Sequence, residues 1–396
     1  MLKVTTIGLG YIGLPTSALI ASKNINVFGV DVNQTVVDTI NKGEIHIVEP
    51  ELDFIVKRTV ENGYLKAGLK PITGDVYLIV VPTPFKENHE PDISFIQNAT
   101  EGIIPILKEN DLYIIESTSP IGTTEKMKDL IYSKRPDLNE KLHIAYCPER
   151  VLPGNVIYEL VHNDRIVGGI NEASTQAAIN FYKQFVKGEI HATNSATAEM
   201  CKLTENASRD VQIAFANELS LICDKAGINV WELIRLANKH PRVNILQPGC
   251  GVGGHCIAVD PYFITTQFPL ESKIIRTARE LNNYKPFWCI EKIKNEILTF
   301  ENEKGKKPKI AICGLAFKPD IDDLRESPAL FIAEKIKETY PLELVFFIEP
   351  NIESHPNFVI SKLENLIEEI DIAFILVQHK EFKDVKWKKQ ISFVNS

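Results

Sequence analysis

The stretch IGLGYIGLPTS (residues 7–17) carries the glycine spacing that decides the fold of this chain. Its glycines follow the pattern G-x-G-x-x-G, which is informative when a strand precedes it and a helix follows. Here the β-branched run KVTTIG (3–8) comes before it, and Asp31 ends the next strand-like run, NVFGVD (26–31). The stretch therefore predicts the first turn of a βαβ unit that binds a dinucleotide.

Each glycine of this turn has a separate physical task. Gly8 permits the tight turn, Gly10 lets a pyrophosphate approach the backbone, and Gly13 lets the helix pack on the sheet. The helix N-terminus supplies N–H donors for phosphates. Asp31 is expected to accept hydrogen bonds from ribose hydroxyls and to repel a 2′-phosphate, so the predicted cofactor is NAD. A glycine-rich turn without a ligand is the alternative.

The order of patterns along the chain predicts three domains. Strand-like and helix-like runs alternate over 1–190, as in a doubly wound parallel sheet. Residues 191–303 read as helical and include one long helix over 195–226. The charged stretch 301–309 is typical of a linker, and an α/β pattern resumes over 304–396. The predicted fold class is α/β, with two Rossmann-like doubly wound domains joined by a long central helix and a helical middle domain.

Composition excludes several classes of protein. The net charge of −8 argues against a general nucleic-acid binder, which needs a basic field. The longest apolar runs are too short to span a bilayer, so no membrane partner is expected. The seven cysteines are odd in number and irregularly spaced in a long chain, which favours a reducing, cytoplasmic setting.

A second glycine-rich loop, PGCGVGGHCIAVDPYF (248–263), carries reactive side chains. Cys256 follows a glycine pair and precedes Asp260 by four residues, and a thiol on such a loop is more reactive than one in a core strand. A zinc site of Cys250, His255 and Cys256 would lack a second ligand cluster, so no metal is predicted. An unreactive loop thiol is the other alternative. Cys250 has no assigned role.

A thiolate in an NAD enzyme indicates oxidation of an aldehyde to an acid. An aldehyde has no hydride to give until its carbon becomes tetrahedral, and addition of a thiolate creates that centre. Lys202 and Asn206 lie at i and i+4 of the predicted long helix, so both side chains share one face. An ammonium beside an amide can hold a developing oxyanion. The alternative for this pair is a solvated helix face.

Seven ordered blocks that span essentially the whole chain resemble the UDP-glucose/GDP-mannose dehydrogenase family. The blocks are GLGYIGLP, VPTP, ESTSPIGTTE, CPERVLPG, AEMCKLTEN, PGCGVGGHCIAVDPYF and GLAFKPDIDDLRESPA. Within the family, the branch that oxidises UDP-N-acetyl-D-mannosamine is the one most resembled by the segments ERVLPG, ELVHNDRIVGG, GGHCIAVDPYF and DDLRESPA. The resemblance implies that a UDP-sugar is oxidised at C6 from alcohol to carboxylate with two NAD, without release of the aldehyde. It also implies a homodimer and a role in bacterial capsules and surface polysaccharides.

The resemblance assigns catalytic roles at matching positions. Cys256 is the expected nucleophile and Asp260 orients or activates water. Lys202 and Asn206 stabilise the oxyanion, which agrees with the chemistry of their side chains.

Two further catalytic positions come from the resemblance alone. Glu149 resembles the acid/base of the thioester step, and Thr118 holds water beside it. Which of Asp260, Lys202 and Glu149 accepts the proton in the first oxidation stays open, because their titrations would be coupled in one site.

Binding residues are also implied by the resemblance. Arg242 matches an arginine that reaches the substrate across a dimer interface, and Lys318 and Arg325 match late contacts from the C-terminal domain. The expected cofactor contacts are Gly8, Gly10, Tyr11, Ile12, Gly13, Asp31, Pro82, Thr83, Thr118 and Arg325. The expected substrate contacts are Glu149, Arg150, Val151, Lys202, Asn206, Arg242, Gly253 and Lys318.

Other functions remain open at this point. UDP-N-acetylglucosamine and UDP-glucose 6-dehydrogenases share the machinery. A one-step β-hydroxyacid dehydrogenase would not need Cys256. A non-catalytic NAD-binding regulatory protein would need none of the four residues Cys256, Asp260, Lys202 and Asn206. The last α/β segment has one glycine where the first has three, which fits a domain for the UDP end of the substrate.

Overall fold

The computed structural model describes residues 2–86, 89–152, 154–254 and 256–395. The chain divides into two compact units, Met1–Thr204 and Glu205–Ser396.

The N-terminal unit contains an eight-stranded sheet with the strand order β3-β2-β1-β4-β5-β6-β7-β8. Its strands are β1 (Lys3–Ile7), β2 (Asn26–Val30), β3 (Leu65–Gly68), β4 (Val76–Ile79), β5 (Leu112–Ile115), β6 (His143–Tyr146), β7 (Arg165–Gly169) and β8 (Ile190–Asn194). Neighbouring strands pair in parallel, except that β7 runs antiparallel to β6. The expected doubly wound sheet is confirmed, with this one reversed pairing, which strand periodicity does not encode.

Two strands of this sheet were not predicted. β3 and β8 are its edges, and β8 is largely exposed. An edge strand buries less of its surface than a central one, so its sequence lacks a continuous apolar run. The central strands β4 and β5 are buried along their whole length, and the apolar runs VYLIVVP (76–82) and LYIIES (112–117) predict them.

The connections between the strands of this sheet contain seven α-helices within the described residues. They are α1 (Gly13–Ala21), α2 (Gln34–Asn41), α3 (Leu52–Glu61), α4 (Ser94–Ile103), α5 (Thr123–Lys134), α6 (Val156–His162) and α7 (Glu172–Tyr182). The pattern of ISFIQNATEGIIPILKE (93–109) predicts one helix, but α4 ends earlier, at Ile103, because Pro105 lies in a short 3-10 turn over 104–106.

The long helix α8 spans Ser195–Ala226, as predicted. Gly227 ends it with φ of 69°, a left-handed conformation that glycine adopts without steric cost.

The C-terminal unit continues with helices and then a four-stranded parallel sheet of order β10-β9-β11-β12. Its elements after α8 are α9 (Val230–Ala237), α10 (Asp260–Gln267), α11 (Lys273–Lys304), β9 (Ile310–Cys313), α12 (Pro328–Thr339), β10 (Val345–Ile348), β11 (Ile372–Ile375) and β12 (Gln390–Ser392). The predicted linker is shorter than 301–309, because α11 continues to Lys304 and ends at Gly305. Within the described ranges, no helix is both long enough and apolar enough to cross a bilayer.

Candidate active site

The glycine turn after β1 has the geometry of a phosphate cradle. Gly8 has φ of 98°, and a Cβ there would lie 2.2 Å from the Val80 carbonyl oxygen. A Cβ on Gly13 would lie 1.9 Å from the Gly8 carbonyl oxygen, so α1 packs tightly on the turn. A Cβ on Gly10 would meet no atom within 4 Å. The backbone at Gly10 is therefore open to a ligand, and the residues present fit a dinucleotide pyrophosphate.

Asp31 follows β2 and is tied to the same turn. Its carboxylate accepts hydrogen bonds from the backbone N–H groups of Leu9, at 3.1 Å, and Asn33, at 2.9 Å. Each oxygen uses one acceptor position in this way and retains capacity for a further donor. Tyr11 is half exposed beside the turn, and Ile12 precedes α1 without a side-chain cap on the helix N-terminus.

The remaining predicted cofactor positions of this unit follow β4 and β5. Pro82 and Thr83 come after β4, and Thr118 comes after β5. The Ser117 hydroxyl joins the two strand ends, since it accepts from the Val81 N–H at 2.9 Å and donates to the Ile79 carbonyl at 3.2 Å. These residues thus lie at the carboxyl edge of the sheet, the edge at which the glycine turn follows β1.

Glu149 lies in the loop after β6 and is held at both carboxylate oxygens. Oε1 accepts from the Arg150 N–H at 2.6 Å, and Oε2 pairs with Arg165 Nη2 at 3.3 Å. Val151 follows in the same loop. Further along, the buried Glu49 carboxylate accepts from the N–H groups of residues 154 and 156, at 2.8 and 2.7 Å. Glu49 therefore fixes the loop from outside it.

Lys202 lies on α8, and Glu199 anchors the preceding turn of that helix. The Glu199 carboxylate accepts from the Gly122 N–H at 2.6 Å and from the N–H and hydroxyl of Thr124 at 2.8 and 2.7 Å. Burial raises the pKa of Glu199 above its ordinary value, and the hydrogen bonds from Gly122 and Thr124 offset only part of this rise. Glu199 thereby connects the Lys202 helix to the loop that contains Thr118 and to the start of α5. Sequence reasoning missed Glu199, although a carboxylate three residues before the lysine was a visible signal.

In the C-terminal unit the cysteine loop brings three predicted residues together. The N–H of Asp260 bonds the Cys256 carbonyl at 2.9 Å, so one turn joins the two residues. Asp260 starts α10, is buried, and accepts from Asn206 Nδ2 at 2.5 Å. Cys256 is half-buried. Asp260 and Asn206 thus pair through their side chains at the start of α10, and Cys256 joins this cluster through its backbone carbonyl, one turn away.

The loop glycines allow close approach to other backbone segments of this unit. A Cβ on Gly253 would lie 2.6 Å from the Glu326 carbonyl oxygen. A Cβ on Gly251 would lie 3.1 Å from the Asn282 carbonyl oxygen, which Pro286 leaves without its helical N–H donor. These glycines therefore have a packing reason within the protein itself.

The two loop cysteines have different surroundings. Cys250 is buried, its Sγ donates to the Leu376 carbonyl at 3.4 Å, and burial raises its pKa. A buried thiol held protonated is a poor nucleophile. His255 of the rejected zinc set lies outside the described residues. Across the described part of the chain, no group of three or more His, Cys, Asp and Glu side chains is arranged to hold a metal ion.

The predicted basic contacts are exposed. Arg242 and Lys318 point to the surface, and Arg325 makes a two-pronged ion pair with Asp323, whose closer contact is 2.6 Å. A guanidinium in that geometry can also bind a phosphate in two places.

Glu349 directly follows β10, as Asp31 directly follows β2. Its buried Oε2 accepts from the N–H groups of Leu315, at 2.7 Å, and Ala316, at 3.0 Å, and His379 Nε2 lies 3.0 Å away. Hydrogen bonds from the protein's own groups thus occupy the carboxylate oxygen that would accept from a ribose hydroxyl in a dinucleotide site. This agrees with the weaker glycine pattern of the last domain.

Comparisons with known proteins match this arrangement. Models of the UDP-glucose/GDP-mannose dehydrogenase family match over the NAD binding domain at residues 2–186, the central domain at 196–284 and the UDP binding domain at 311–395. The chain is 54% identical to UDP-N-acetyl-D-mannosamine dehydrogenases of Escherichia coli (strain K12), over 96% of this chain and 94% of that protein, and Campylobacter jejuni, over 99% and 98%.

A solved structure of UDP-D-ManNAc dehydrogenase from Pyrococcus horikoshii superposes with a TM-score of 0.88 at 38% identity, covering 100% of this chain and 96% of that one. The fold class and the NAD cofactor predicted from the sequence are confirmed. The chain is an NAD-dependent nucleotide-sugar dehydrogenase, and it belongs to the UDP-glucose/GDP-mannose dehydrogenase family.

Proposed function

We propose that this protein oxidises the C6 alcohol of UDP-N-acetyl-D-mannosamine to the carboxylate of UDP-N-acetyl-D-mannosaminuronate, in two steps with two NAD. The observation that supports it most is the cluster of Cys256, Asp260 and Asn206 in a chain 54% identical to dehydrogenases of that substrate. A one-step alcohol dehydrogenase has no use for the thiol.

The first oxidation removes a hydride from C6 and a proton from its hydroxyl, which leaves an aldehyde. The ammonium of Lys202 stabilises the developing alkoxide. The proton acceptor is Asp260, Glu149 or Lys202; if it is Lys202, that side chain starts as the neutral amine and becomes the stabilising ammonium by taking the hydroxyl proton. NAD, when bound, accepts the hydride in each of the two oxidations.

The second oxidation begins when the Cys256 thiolate forms a C–S bond to the aldehyde carbon. Lys202 and the Asn206 amide hold the resulting oxyanion. Loss of the second hydride turns this thiohemiacetal into a thioester. Covalent attachment explains how the aldehyde stays bound between the two oxidations.

Hydrolysis releases the product. A water oxygen, oriented by Thr118 and Asp260, attacks the thioester carbon while Glu149 takes its proton. The C–S bond then breaks, and Cys256 leaves as the thiolate, ready for another turnover.

The binding residues, the oligomer and the location belong to the same proposal. The glycine turn and Asp31 bind NAD, and the other proposed NAD contacts are Tyr11, Ile12, Pro82, Thr83 and Arg325. Arg150, Val151, Gly253, Lys318 and Arg242 contact the UDP-sugar. Phe215 and Ile222 are exposed on α8 seven residues apart, so this apolar face suits a homodimer. We place the protein in the cytoplasm, where it supplies capsule or surface polysaccharide synthesis.

The stoichiometry of NADH tests this function. Purified protein is incubated with UDP-N-acetyl-D-mannosamine, UDP-N-acetylglucosamine or UDP-glucose, and absorbance of NADH is followed. We expect two NADH per sugar and the fastest turnover with the first substrate. One NADH per sugar would refute the two-step mechanism, and faster turnover of UDP-glucose would refute the substrate. Cys256→Ser should abolish net oxidation, whereas Cys201→Ser, at a similarly half-buried thiol, should retain it.

A further inference from the structure

A buried polar cluster lies behind Glu149 in the N-terminal unit. Glu116 follows β5, Cys147 follows β6, Arg165 begins β7, and Tyr182 ends α7. All four side chains are buried. The reaction chemistry above uses none of them, and a buried charge is costly unless its partners compensate it.

Arg165 is the centre of this cluster. Its Nη2 bonds Glu149 Oε2 at 3.3 Å, and its Nη1 contacts Cys147 Sγ at 3.7 Å. The guanidinium carbon lies 4.9 Å from the centre of the Tyr182 ring, within cation–π range. Burial opposes its charge, yet the neighbouring Glu149, Cys147 and Glu116 raise the pKa of Arg165, so it stays charged.

Glu116 is a second carboxylate in the field of the same guanidinium. Its Oε1 accepts from the Tyr182 hydroxyl at 2.6 Å. Burial is the largest influence on the pKa of Glu116 and raises it. The charge of Arg165 and the hydrogen bond from Tyr182 lower it, the charge of Glu149 raises it further, and the resulting pKa is about 7. Burial also holds the pKa values of Tyr182 and Cys147 above their ordinary values, so near neutral pH these two stay protonated.

We propose that Arg165 is a positioning residue, which orients the Glu149 carboxylate for thioester hydrolysis, and that the charge of Glu116 tunes this pairing. The inference rests on the proposed function of Glu149. With Oε1 on the Arg150 N–H and Oε2 on Arg165, the carboxylate cannot rotate away from the water it deprotonates.

The sign of the pH effect follows from charge. Below neutral pH Glu116 is protonated, and the positive charge of Arg165 acts on Glu149 alone, which weakens Glu149 as a proton acceptor. When Glu116 ionises, its negative charge offsets Arg165 and strengthens Glu149 as a base. Hydrolysis therefore accelerates as pH rises through about 7.

Rapid mixing separates this step from the oxidations. Arg165→Lys keeps the charge and loses the fork, while Glu116→Gln is isosteric and can still accept from Tyr182. Arg135→Lys, at a partly exposed forked pair with Asp137 in the same unit, is the matched control. NADH release and the mass of acid-quenched protein, which reports the Cys256 thioester, are recorded across pH.

We expect Arg165→Lys to lower kcat about tenfold to a hundredfold and KM for the sugar in proportion, so that kcat/KM stays the same while thioester accumulates, because only a step after covalent attachment becomes slower. Glu116→Gln should lose the inflection near neutral pH, and the control should match the wild type. A Glu116→Gln profile that superposes on the wild-type profile, or slow Arg165→Lys turnover without accumulated thioester, would overturn the inference.

A double-mutant cycle keeps this inference distinct from the proposed function. Urea unfolding of Arg165→Lys, Glu149→Gln and the double variant should be non-additive, since the two side chains pair in the folded protein. Additive effects overturn the positioning role whatever the NADH stoichiometry. One NADH per sugar in the wild type, with a non-additive cycle, refutes the proposed function and leaves Arg165 as the residue that positions Glu149.

Discussion

Replacing Glu349 by Gln removes the charge of a buried carboxylate that holds the turn after β9. Oε2 accepts from the Leu315 and Ala316 N–H groups, and Oε1 accepts from the Asn351 N–H at 3.1 Å. A glutamine amide has one oxygen, so its NH₂ group must face either the N–H groups of Leu315 and Ala316 or the N–H group of Asn351. The substitution therefore breaks at least one set of buried hydrogen bonds whichever way the amide is turned.

The loss of folding free energy in Glu349→Gln can be worked out from the pKa of the Glu349 carboxyl. Burial alone would raise the pKa of Glu349, but the hydrogen bonds from His379 and backbone N–H groups prevail and lower it from 4.5 to about 2. That shift corresponds to about 3 kcal/mol of folding free energy.

The protonation of His379 makes this figure an upper bound. His379 Nδ1 accepts from the Asp320 N–H at 2.9 Å, so Nε2 carries the proton and the ring is neutral. A neutral donor contributes less than a charged one. We therefore expect Glu349→Gln to lower the free energy of unfolding by about 2 kcal/mol at neutral pH.

The loss should depend on pH with a defined sign. The folded pKa lies below the unfolded one, so the stabilisation is complete above about 4.5 and disappears as pH falls toward 2. Urea unfolding of the wild type and Glu349→Gln should thus differ by a constant amount near neutrality and converge in acid. Glu343→Gln, at an exposed position, is the control. Equal stability at neutral pH, or a difference that grows in acid, would refute the reasoning.

Three other substitutions have expected outcomes. Gly13→Ala should lower stability by about 1–3 kcal/mol, because its Cβ would lie 1.9 Å from the Gly8 carbonyl oxygen. Gly10→Ala should unfold like the wild type but bind NAD at least about tenfold more weakly by calorimetry, since its Cβ occupies open space that the pyrophosphate needs; equal affinity would contradict this. Asn217→Ala leaves the Gly249 N–H without its acceptor at 2.9 Å and should cost about 1–3 kcal/mol in urea unfolding, with kcat lowered. Unchanged stability would show that this bond does not hold the cysteine loop.

Most of the fold could be predicted because its signals are local. The buried runs of β4 and β5, the uninterrupted α8 and the turn around Gly8 each show in a window of a few residues. The edge strand β8 carries no such signal, since most of its side chains face solvent. The antiparallel pairing of β6 with β7 depends on how the chain returns to the sheet, which no single window contains.

The candidate site divides in the same way. Cys256 and Asp260 stand out by residue type and position, whereas periodicity alone does not select Lys202, which the family resemblance supplied. The structure joins Asp260 to Cys256 and Asn206. Glu199 was missed because its partners lie 75 to 77 positions earlier in the chain. A lone glutamate in a helix looks like a surface charge until the buried N–H groups it accepts from are known.

The sequence by itself determined the dinucleotide turn, the long helix, the cysteine on a glycine-rich loop and the kinship that its motifs share, because backbone sterics and side-chain chemistry act over short distances. Only the tertiary structure decided which ionisable groups are buried and therefore desolvated. Arg165, Glu116 and Glu349 owe their partners and altered proton affinities to burial among segments far apart in the chain. The same burial separates Cys250, held in the core, from Cys256, since desolvation depends on what packs around a group and not on its neighbours in sequence.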